Sequence, residues 1–303
     1  MTMRIKKRYT WRTFIPFGAL FIGILLVTLY IVSTIAYTYR DFSFTPDGDY
    51  IAAVYLEPGQ ESIKPAVIAR EKALEEARKA AEAAAAAAGV AERSYSGGTI
   101  YLTFDDGPGA YTSRLLDILA KYNVKATFFV TNAGDDSMIL REYNEGHAVG
   151  LHTASHNYSY IYASIDNFFD DLYAVQDRVE RITGYKSYLM RFPGGSSNTV
   201  SARYDGGTRI MSALVNEVEG RGFTYFDWNI TSGDAGGTTT ADGVYRNVVN
   251  NLKDGGNSVV LQHDIKGFSV DAVERIIQFG LANGFTFRKL DENSFTAHHG
   301  VNN

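Results

Sequence analysis

The sequence predicts an α/β protein in which strands and helices alternate to form parallel βαβ units. Two observations support this fold class. From about Ser96 onward, short runs of β-favouring residues alternate with segments of helical periodicity. The strand-like runs, such as "VVLQ", carry few charges, which is typical of parallel strands that are buried on both faces. Six or seven such units in about 200 residues indicate a barrel or an open doubly wound sheet.

The predicted elements follow one another in a regular order. The strand "TIYLTF" is followed by the helical segment "TSRLLDILAKYN", and the strands "KATFFV" and "AVGL" are separated by a segment that ends at Glu145. The helix "IDNFFDDLYAVQDRVERI", the strand "YLMRF", the helix "RIMSALVNEVEG" and the strand-like "FTYFDWNI" come next. The series closes with "YRNVVNNL", "NSVVLQ", "VDAVERIIQFGLANG" and "FTFRKL".

The N-terminal part of the chain has the pattern of a single-pass membrane anchor. Residues 14–37 form an uncharged, largely apolar run, and a helix needs about 20 such residues to cross a bilayer. Residues 1–13 contain five basic residues and no acidic residue, which predicts a cytoplasmic N-terminus and an extracytoplasmic remainder. A cleaved signal peptide is the alternative, but its apolar core spans only about 7–15 residues and ends at a small-residue cleavage site that is absent here.

Residues 38–95 are predicted to form a linker and a helical stalk, which leaves residues 96–303 as the α/β domain. The segment from Pro65 to Val90 is dominated by Ala, Glu, Lys and Arg, and Gly89 lies at its end. Its apolar positions are almost all Ala, so the helix has little to bury. A solvated stalk is the prediction, and a helix that binds a partner is the alternative.

The composition limits the partners and the metal ligands that this protein can have. The chain has 303 residues, a formal net charge of −5 and no cysteine. The charge gives no indication of a nucleic-acid partner. The absence of cysteine excludes disulfides and thiolate ligands, so a metal ion must be held by His, Asp or Glu.

Ionisable residues occur where the predicted strands stop. In parallel α/β folds, catalytic groups collect at the carboxyl ends of the strands. Polar loops follow strands in any protein, but that does not explain these particular residue types at four of the strand ends. The residues are Asp105 and Asp106 after "YLTF", His152 after "AVGL", Arg191 after "YLM", and His263 after "VVLQ".

The segment "HTASH" suggests a metal site. His152 and His156 are four residues apart, and if Thr153 begins a helical turn their imidazoles share one face. One aspartate of "FDDGP" with these two histidines makes three protein ligands and leaves an open position, which is typical of catalytic metal sites. A divalent ion would also compensate the adjacent carboxylates. The ligand types suit zinc, with cobalt, nickel and manganese as alternatives.

Four motifs together carry a resemblance to a known family. In this order, "TFDDGP", "HTASH", "RFPGG" and "LQHD" resemble the motif series of the polysaccharide deacetylases of carbohydrate esterase family 4, the nodulation-protein-B-like domain. The resemblance covers about Ser96 to Leu290. It implies a distorted (β/α) barrel with fewer than eight strands. The membrane-anchored layout resembles that of bacterial peptidoglycan N-acetylglucosamine deacetylases.

The resemblance also implies a role for each motif residue. Asp105 matches the general base, Arg191 the arginine that pairs with it, and His263 the general acid. The implied metal ligands are Asp106, His152 and His156.

The chain departs from the family pattern at two motifs. Gly194 replaces a frequent Tyr, which leaves its backbone N–H to face an oxyanion. In "WNITSGDA", Thr231 and Ala235 stand where the family has Asp and Trp, whereas Asp234 is kept as the expected partner of His263. Asp227 of "FDW" is rejected as that partner because it lies inside the strand-like run. The tyrosines that follow the His pair are expected either to contact substrate or to pack at the barrel rim: Tyr158, Tyr160 and Tyr162.

The predicted function is metal-dependent hydrolysis of the N-acetyl group from N-acetylglucosamine units of a cell-wall polysaccharide, with peptidoglycan as the expected polymer. An O-acetyl esterase that uses the same metal site is one alternative. The other is an inactive sugar-binding module on a stalk, although such a module needs no general base.

Overall fold

The computed structural model describes residues 95–302 and five isolated positions before them. The predicted cytoplasmic tail (1–13), transmembrane helix (14–37) and most of the linker and stalk (38–95) lie outside the described residues. In the part of the chain that is described, no helix has both the length and the apolar character needed to cross a membrane. The five isolated positions fall in the predicted stalk, and all are helical and exposed: Lys72, Glu75, Glu76, Lys79 and Ala83.

Strands and helices alternate along the described domain, as the sequence predicts. The strands are β1 (Gly98–Asp105), β2 (Thr127–Val130), β3 (Ala148–Leu151), β4 (Leu189–Met190), β5 (Thr224–Tyr225), β6 (Ile230–Thr231), β7 (Asn257–His263) and β8 (Phe285–Phe287). The helices are α1 (Thr112–Lys121), α2 (Asp136–Asn144), α3 (Tyr158–Ile161), α4 (Ile165–Thr183), α5 (Ile210–Gly220), α6 (Ala241–Val249) and α7 (Gly267–Ala282).

All described strand pairs are parallel, and the strands form one curved sheet. Its main path has seven strands in the order β5-β4-β3-β2-β1-β7-β6, and the eighth strand, β8, pairs with the first half of β1. The expectation of fewer than eight strands therefore fits the main path but omits this short branch. The central strand β1 is long because it pairs with β7 over its whole length and with β8 and β2 on its other edge.

Each face of the sheet buries a different set of side chains, since successive residues of a strand point to opposite faces. Ile100, Leu102 and Phe104 belong to the large core that the helices cover. Tyr101 points to the other face and packs in a second cluster that contains no helix residue. That cluster joins residues of five strands, the β5–β6 connection and the C-terminal segment: Tyr101, Phe129, Ala148, Leu189, Phe226, Val259, Leu290 and Ala297. This second cluster fills the concave face of the curved sheet, so the sheet forms a half-barrel.

The segment "FTYFDWNI" differs from its prediction as one strand. It forms two short strands, β5 and β6, with Phe226–Asn229 between them. The reason is a change of partner, since β5 pairs with β4 whereas β6 pairs with β7. These are the two ends of the main path, and the connection can span at most about 18 Å. The short connection therefore keeps the ends of the sheet close together.

Helix α4 shows why the sequence forms these elements where it does. The Oγ of Ser164 accepts a hydrogen bond from Asn167 N–H at the helix start, and Gly184 ends the helix with a φ of 73°. Apolar side chains recur at helical spacing and are buried against the sheet: Phe168, Phe169, Leu172, Val175 and Val179.

Candidate active site

The polar residues at the strand ends come together at one edge of the sheet. Asp105 is the last residue of β1 and lies opposite His263, the last residue of β7, in the strand register. His152 follows β3 directly, and Arg191 follows β4 directly. The carboxyl ends of these strands meet because the strands are parallel neighbours in a curved sheet.

Asp106, His152 and His156 form a cluster with the spacing of a metal site. Asp106 Oδ1 lies 3.6 Å from His152 Nε2 and 3.4 Å from His156 Nε2. One ligand atom from each residue lies within 4.8 Å of the other two. Asp106 Oδ1 is buried and has no hydrogen-bond partner among the described residues. A buried carboxylate oxygen without a donor needs a compensating charge, so the three side chains fit a divalent ion.

The backbone that presents these ligands is not helical, so the expected helical turn in "HTASH" is wrong. Residues 152–157 have no helical assignment. Asp106, Thr153 and His156 all have left-handed φ values, of 73°, 60° and 51°. Left-handed φ costs a non-glycine residue roughly 1–2 kcal/mol. Such strain clusters at functional sites, and here it turns His156 back toward Asp106.

His152 is fixed in the form that a metal ligand needs. Its Nδ1 lies 2.8 Å from the backbone oxygen of Arg191. Because a carbonyl only accepts hydrogen bonds, Nδ1 carries the proton and Nε2 turns its lone pair to the cluster. Burial lowers the pKa of His152 below its usual value, against the pull of the neighbouring carboxylates. The imidazole therefore stays neutral.

Asp105 is bound to Arg191 at the top of the concave face. Arg191 Nη1 donates to Asp105 Oδ1 at 2.8 Å, and the guanidinium is completely buried. Its other donors bind Thr103 Oγ1 and the backbone oxygens of Phe226 and Asp227. Every described contact therefore holds the arginine in one position. Asp105 Oδ2 forms no hydrogen bond within the described chain and lies 3.8 Å from His152 Nε2.

Sequence reasoning missed Thr103, although a signal was present. Thr103 is a polar residue inside an apolar strand, two positions before Asp105. Residues two apart in a strand share a face, so Thr103 points into the same concave space as Asp105. Its hydroxyl donates to the backbone oxygen of Val260 at 2.6 Å and accepts from Arg191 at 2.7 Å.

His263 is paired with Asp234 beside the cluster. His263 Nδ1 lies 2.8 Å from Asp234 Oδ1, and the backbone N–H of His263 donates to Asp234 Oδ2 at 2.8 Å. Ser269 Oγ also donates to Asp234 Oδ2. Burial alone would lower the pKa of His263, but the hydrogen bond to Asp234 and the charge of Asp105 hold it above its usual value.

Asp227 has a different environment from Asp234. It does not lie inside a strand, contrary to the premise on which the sequence argument rejected it, because it falls between β5 and β6. Its carboxylate is fully buried and accepts from the backbone N–H groups of Ser196 (2.8 Å) and His299 (2.9 Å). Asp227 therefore ties the "RFPGG" loop to the C-terminal segment.

The three tyrosines after the His pair have three different environments. Tyr162 is fully buried and donates to Pro193 O at 2.6 Å, so it packs under the "RFPGG" loop. Tyr160 is 42% exposed. Tyr158 is half-buried, with its ring edge-on to His156 at 5.4 Å. Burial, with Asp106 and Asp105 nearby, raises the pKa of Tyr158 to about 12. Ala235 is exposed and provides no ring where the family has Trp.

Comparison with known proteins identifies the family. Residues 92–206 match the family model described as polysaccharide deacetylase. A peptidoglycan-N-acetylglucosamine deacetylase of Bacillus cereus is 33% identical over 202 residues, which cover 64% of this chain and 70% of the relative. This chain belongs to the polysaccharide deacetylase family.

Solved structures of polysaccharide deacetylases have the same fold. The catalytic domain of a peptidoglycan N-acetylglucosamine deacetylase from Eubacterium rectale is 51% identical, with a TM-score of 0.66. The match covers 71% of this chain and the whole of that structure. The crystal structure of a polysaccharide deacetylase from Bacillus cereus is 33% identical, with a TM-score of 0.57, over 65% of this chain and 94% of that one.

Proposed function

We propose that this polysaccharide deacetylase hydrolyses the N-acetyl groups of N-acetylglucosamine units in peptidoglycan and releases acetate. One observation carries the proposal: the Asp106–His152–His156 cluster lies close to both the Asp105–Arg191 pair and the His263–Asp234 pair, with Asp105 Oδ2 3.8 Å from His152 Nε2 and His263 Nε2 3.8 Å from Asp106 Oδ2. Amide hydrolysis needs a base to activate water and an acid to protonate the leaving nitrogen. The two pairs are suited to these two roles.

Asp106, His152 and His156 would hold the metal ion. A carboxylate with two imidazoles suits zinc, and cobalt, nickel and manganese accept the same ligand types. When bound, a divalent ion polarises a carbonyl and lowers the pKa of water.

Asp105 serves as the general base. Arg191 occupies Oδ1 and fixes the orientation of the carboxylate, while Oδ2 is left to accept a proton from the attacking water. A positioned base of this kind contributes typically about 10²–10⁴-fold to the rate.

His263 serves as the general acid. Asp234 binds Nδ1, so the proton that can be donated is the one on Nε2, which lies 3.8 Å from Asp106 Oδ2 at the centre of the site. The proton passes to the nitrogen as the amide C–N bond breaks. The products are acetate and a free amine. Gly194 N–H, which has no partner among the described residues, would stabilise the developing oxyanion.

Acetate release by the purified full-length protein tests this function. With a divalent metal, we expect the protein to release acetate from N-acetylglucosamine oligomers and from peptidoglycan. Asp105→Asn is the matched control and should bind the metal but release little acetate. Acetate from O-acetylated xylan alone would show the O-acetyl esterase instead. Binding of the sugars with no acetate from any substrate would show a non-catalytic module.

We also propose the layout in which the protein works. A transmembrane helix at residues 14–37 holds the N-terminus in the cytoplasm, and the Ala-rich stalk carries a distorted-barrel domain outside the membrane. The stalk's pairs Lys72–Glu76 (3.9 Å) and Glu75–Lys79 (3.5 Å) have the spacing of solvated helical ion pairs. About two dozen helical residues would lift the domain by roughly 35 Å toward the wall.

Protease added to intact cells tests this topology. Cleavage between about Asp41 and Ser96 should release the domain into the medium. A domain that is protected until the membrane is breached would contradict the proposed orientation.

A further inference from the structure

The space beside Gly194 is filled by the phenol of Tyr158. Gly194 has a φ of 77°, and a Cβ built on it would lie 2.7 Å from Tyr158 Oη and 3.4 Å from Tyr158 Cε1. Any side chain at this position would push the hydroxyl away. Glycine at position 194 and the position of Tyr158 are therefore structurally linked.

The ring of Tyr158 is held from two sides. It packs in T-shaped geometry against the ring of His156, with centroids 5.4 Å apart and an interplanar angle of 74°, and against the ring of Tyr162, at 5.5 Å and 64°. Tyr162 is itself fixed by its hydrogen bond to Pro193 O, one residue before Gly194. The hydroxyl of Tyr158 is therefore directed to Gly194 by packing on a candidate metal ligand and on the loop that carries Gly194.

Each of these two neighbouring residues carries a hydrogen-bond donor, the hydroxyl of Tyr158 and the backbone N–H of Gly194. Within the described chain, neither Tyr158 Oη nor the backbone N–H of Gly194 has a hydrogen-bond partner. A tetrahedral oxyanion is stabilised best by preorganised donors that have nothing else to bind. The hydroxyl has no described acceptor that would hold it away from substrate.

We propose that Tyr158 is a catalytic residue whose hydroxyl donates a hydrogen bond to the acetyl oxygen of the substrate as that oxygen becomes an oxyanion. Gly194 N–H donates to the same oxygen. The proposal rests on the proposed function and adds a side-chain donor to it. No bond is made or broken at Tyr158, and its proton stays on the phenol.

Tyr158→Phe removes only the hydroxyl and keeps the ring contacts. We expect kcat to fall about 100-fold, since loss of one oxyanion donor typically costs about 10²–10³-fold, while KM stays within about twofold. Metal content per chain should equal that of the wild type. Tyr188→Phe is the matched control and should leave kcat unchanged. Tyr188 is an exposed tyrosine just before β4, and its ring packs on Phe223. A kcat within twofold of wild type, or a loss that follows loss of metal, overturns the proposal.

A binding measurement tests the same donor without turnover. The probe is a methylphosphonamidate of glucosamine, whose tetrahedral oxygens mimic the oxyanion. Calorimetry on metal-loaded protein should show weaker binding of this probe to Tyr158→Phe than to wild type. Equal affinity overturns the proposal. If wild type releases acetate from no substrate, the proposed function fails, and this measurement still decides the role of Tyr158.

Gly194→Ala provides a second, independent variant. Its methyl group would displace the Tyr158 hydroxyl, so it should lower kcat in the wild-type background. In the Tyr158→Phe background, the same change should cost clearly less, because its shortest contact is gone, while the strain of the left-handed φ and the contact with Asn198 Cβ at 3.2 Å remain. Equal costs in both backgrounds would show that the hydroxyl and Gly194 act independently, which contradicts a shared oxyanion site.

Discussion

Two regions of this domain bury ionisable side chains in opposite ways. At the proposed catalytic edge, where the carboxyl ends of β1, β3, β4 and β7 meet, two buried pairs bring opposite charges together: Asp105 with Arg191, and Asp234 with His263. At the junction of α2 and β3, Glu142 and His147 are equally buried. Neither oxygen of the Glu142 carboxyl, nor Nε2 of His147, has a hydrogen-bond partner in the described part of the chain.

The pKa directions follow from this difference. Burial raises the pKa of Glu142 well above its usual value, and burial with nearby cations lowers the pKa of His147 to about 4. Both shifts favour the neutral form of the side chain. His263 is also buried, but its bond to Asp234 holds its pKa above the usual value. Burial neutralises a side chain unless a partner of opposite charge is placed beside it.

The histidines give the largest expected contrast. His152→Ala or His156→Ala should abolish metal binding and with it all activity, because two remaining ligands do not hold a catalytic ion. His147→Asn should keep the metal, since the amide oxygen can still accept from the N–H of Ala126 as His147 Nδ1 does. Metal content after dialysis measures this directly. Equal metal content in wild type and both alanine variants would show that this cluster does not bind the metal ion.

Asp105→Asn gives the next largest effect. It removes the base but leaves Asp106 and the two histidines in place, so we expect turnover to fall by about 10²–10⁴-fold with metal content unchanged. The amide also weakens the bond to Arg191, so thermal stability must be measured alongside. Turnover within tenfold of wild type would show that another group removes the proton.

The pairing of His263 predicts a shift in pH dependence. A general acid works while protonated, so activity falls as pH rises through the pKa of His263. Asp234→Asn removes the charge that raises this pKa. The basic limb of the pH–rate profile should therefore move to lower pH, and turnover should be strongly reduced. Asp227→Asn should leave the limb in place, because Asp227 binds Ser196 and His299. A limb that moves only with Asp227→Asn would reverse the assignment.

The sequence predicted the alternation of elements because parallel strands carry a local signal in each apolar run. It also placed Asp105, His152, Arg191 and His263 at strand ends, since those ends are visible where apolar runs stop. The break in "FTYFDWNI" was missed because a strand that changes partner looks continuous in sequence.

The features that stayed hidden depend on tertiary contacts. The left-handed backbone of "HTASH" has no glycine to signal it, and it exists because the surrounding loops hold it. The approach of Tyr158 to Gly194 joins residues 36 positions apart. The raised pKa of Glu142 follows from burial, and no local sequence pattern separates this residue from the exposed acids of other helices.

Glu142→Gln should give the smallest effect, a change in the pH dependence of stability. It tests the α2–β3 junction, where the buried ionisable groups have no partner of opposite charge. A carboxyl whose pKa is raised by folding contributes stability that is present below its unfolded pKa, about 4.3, and is lost as pH rises toward its folded pKa. The loss can reach about 1.4 kcal/mol per pH unit. The amide has no proton to lose, so the variant should lose less stability than wild type between pH 5 and pH 8.

The measurement is the change in Tm between these two pH values, compared across variants. A pH-independent loss of stability from the buried glutamine amide lowers Tm equally at both pH values, so it does not affect this change. An effect of bound metal that wild type and variant share does not affect the comparison either. Glu219→Gln is the control, because Glu219 is exposed on α5 and its replacement should leave the pH dependence unchanged. If Glu142→Gln has the same pH dependence as wild type, then Glu142 has an unseen partner. Burial without a partner would then not be what distinguishes the α2–β3 junction from the catalytic edge.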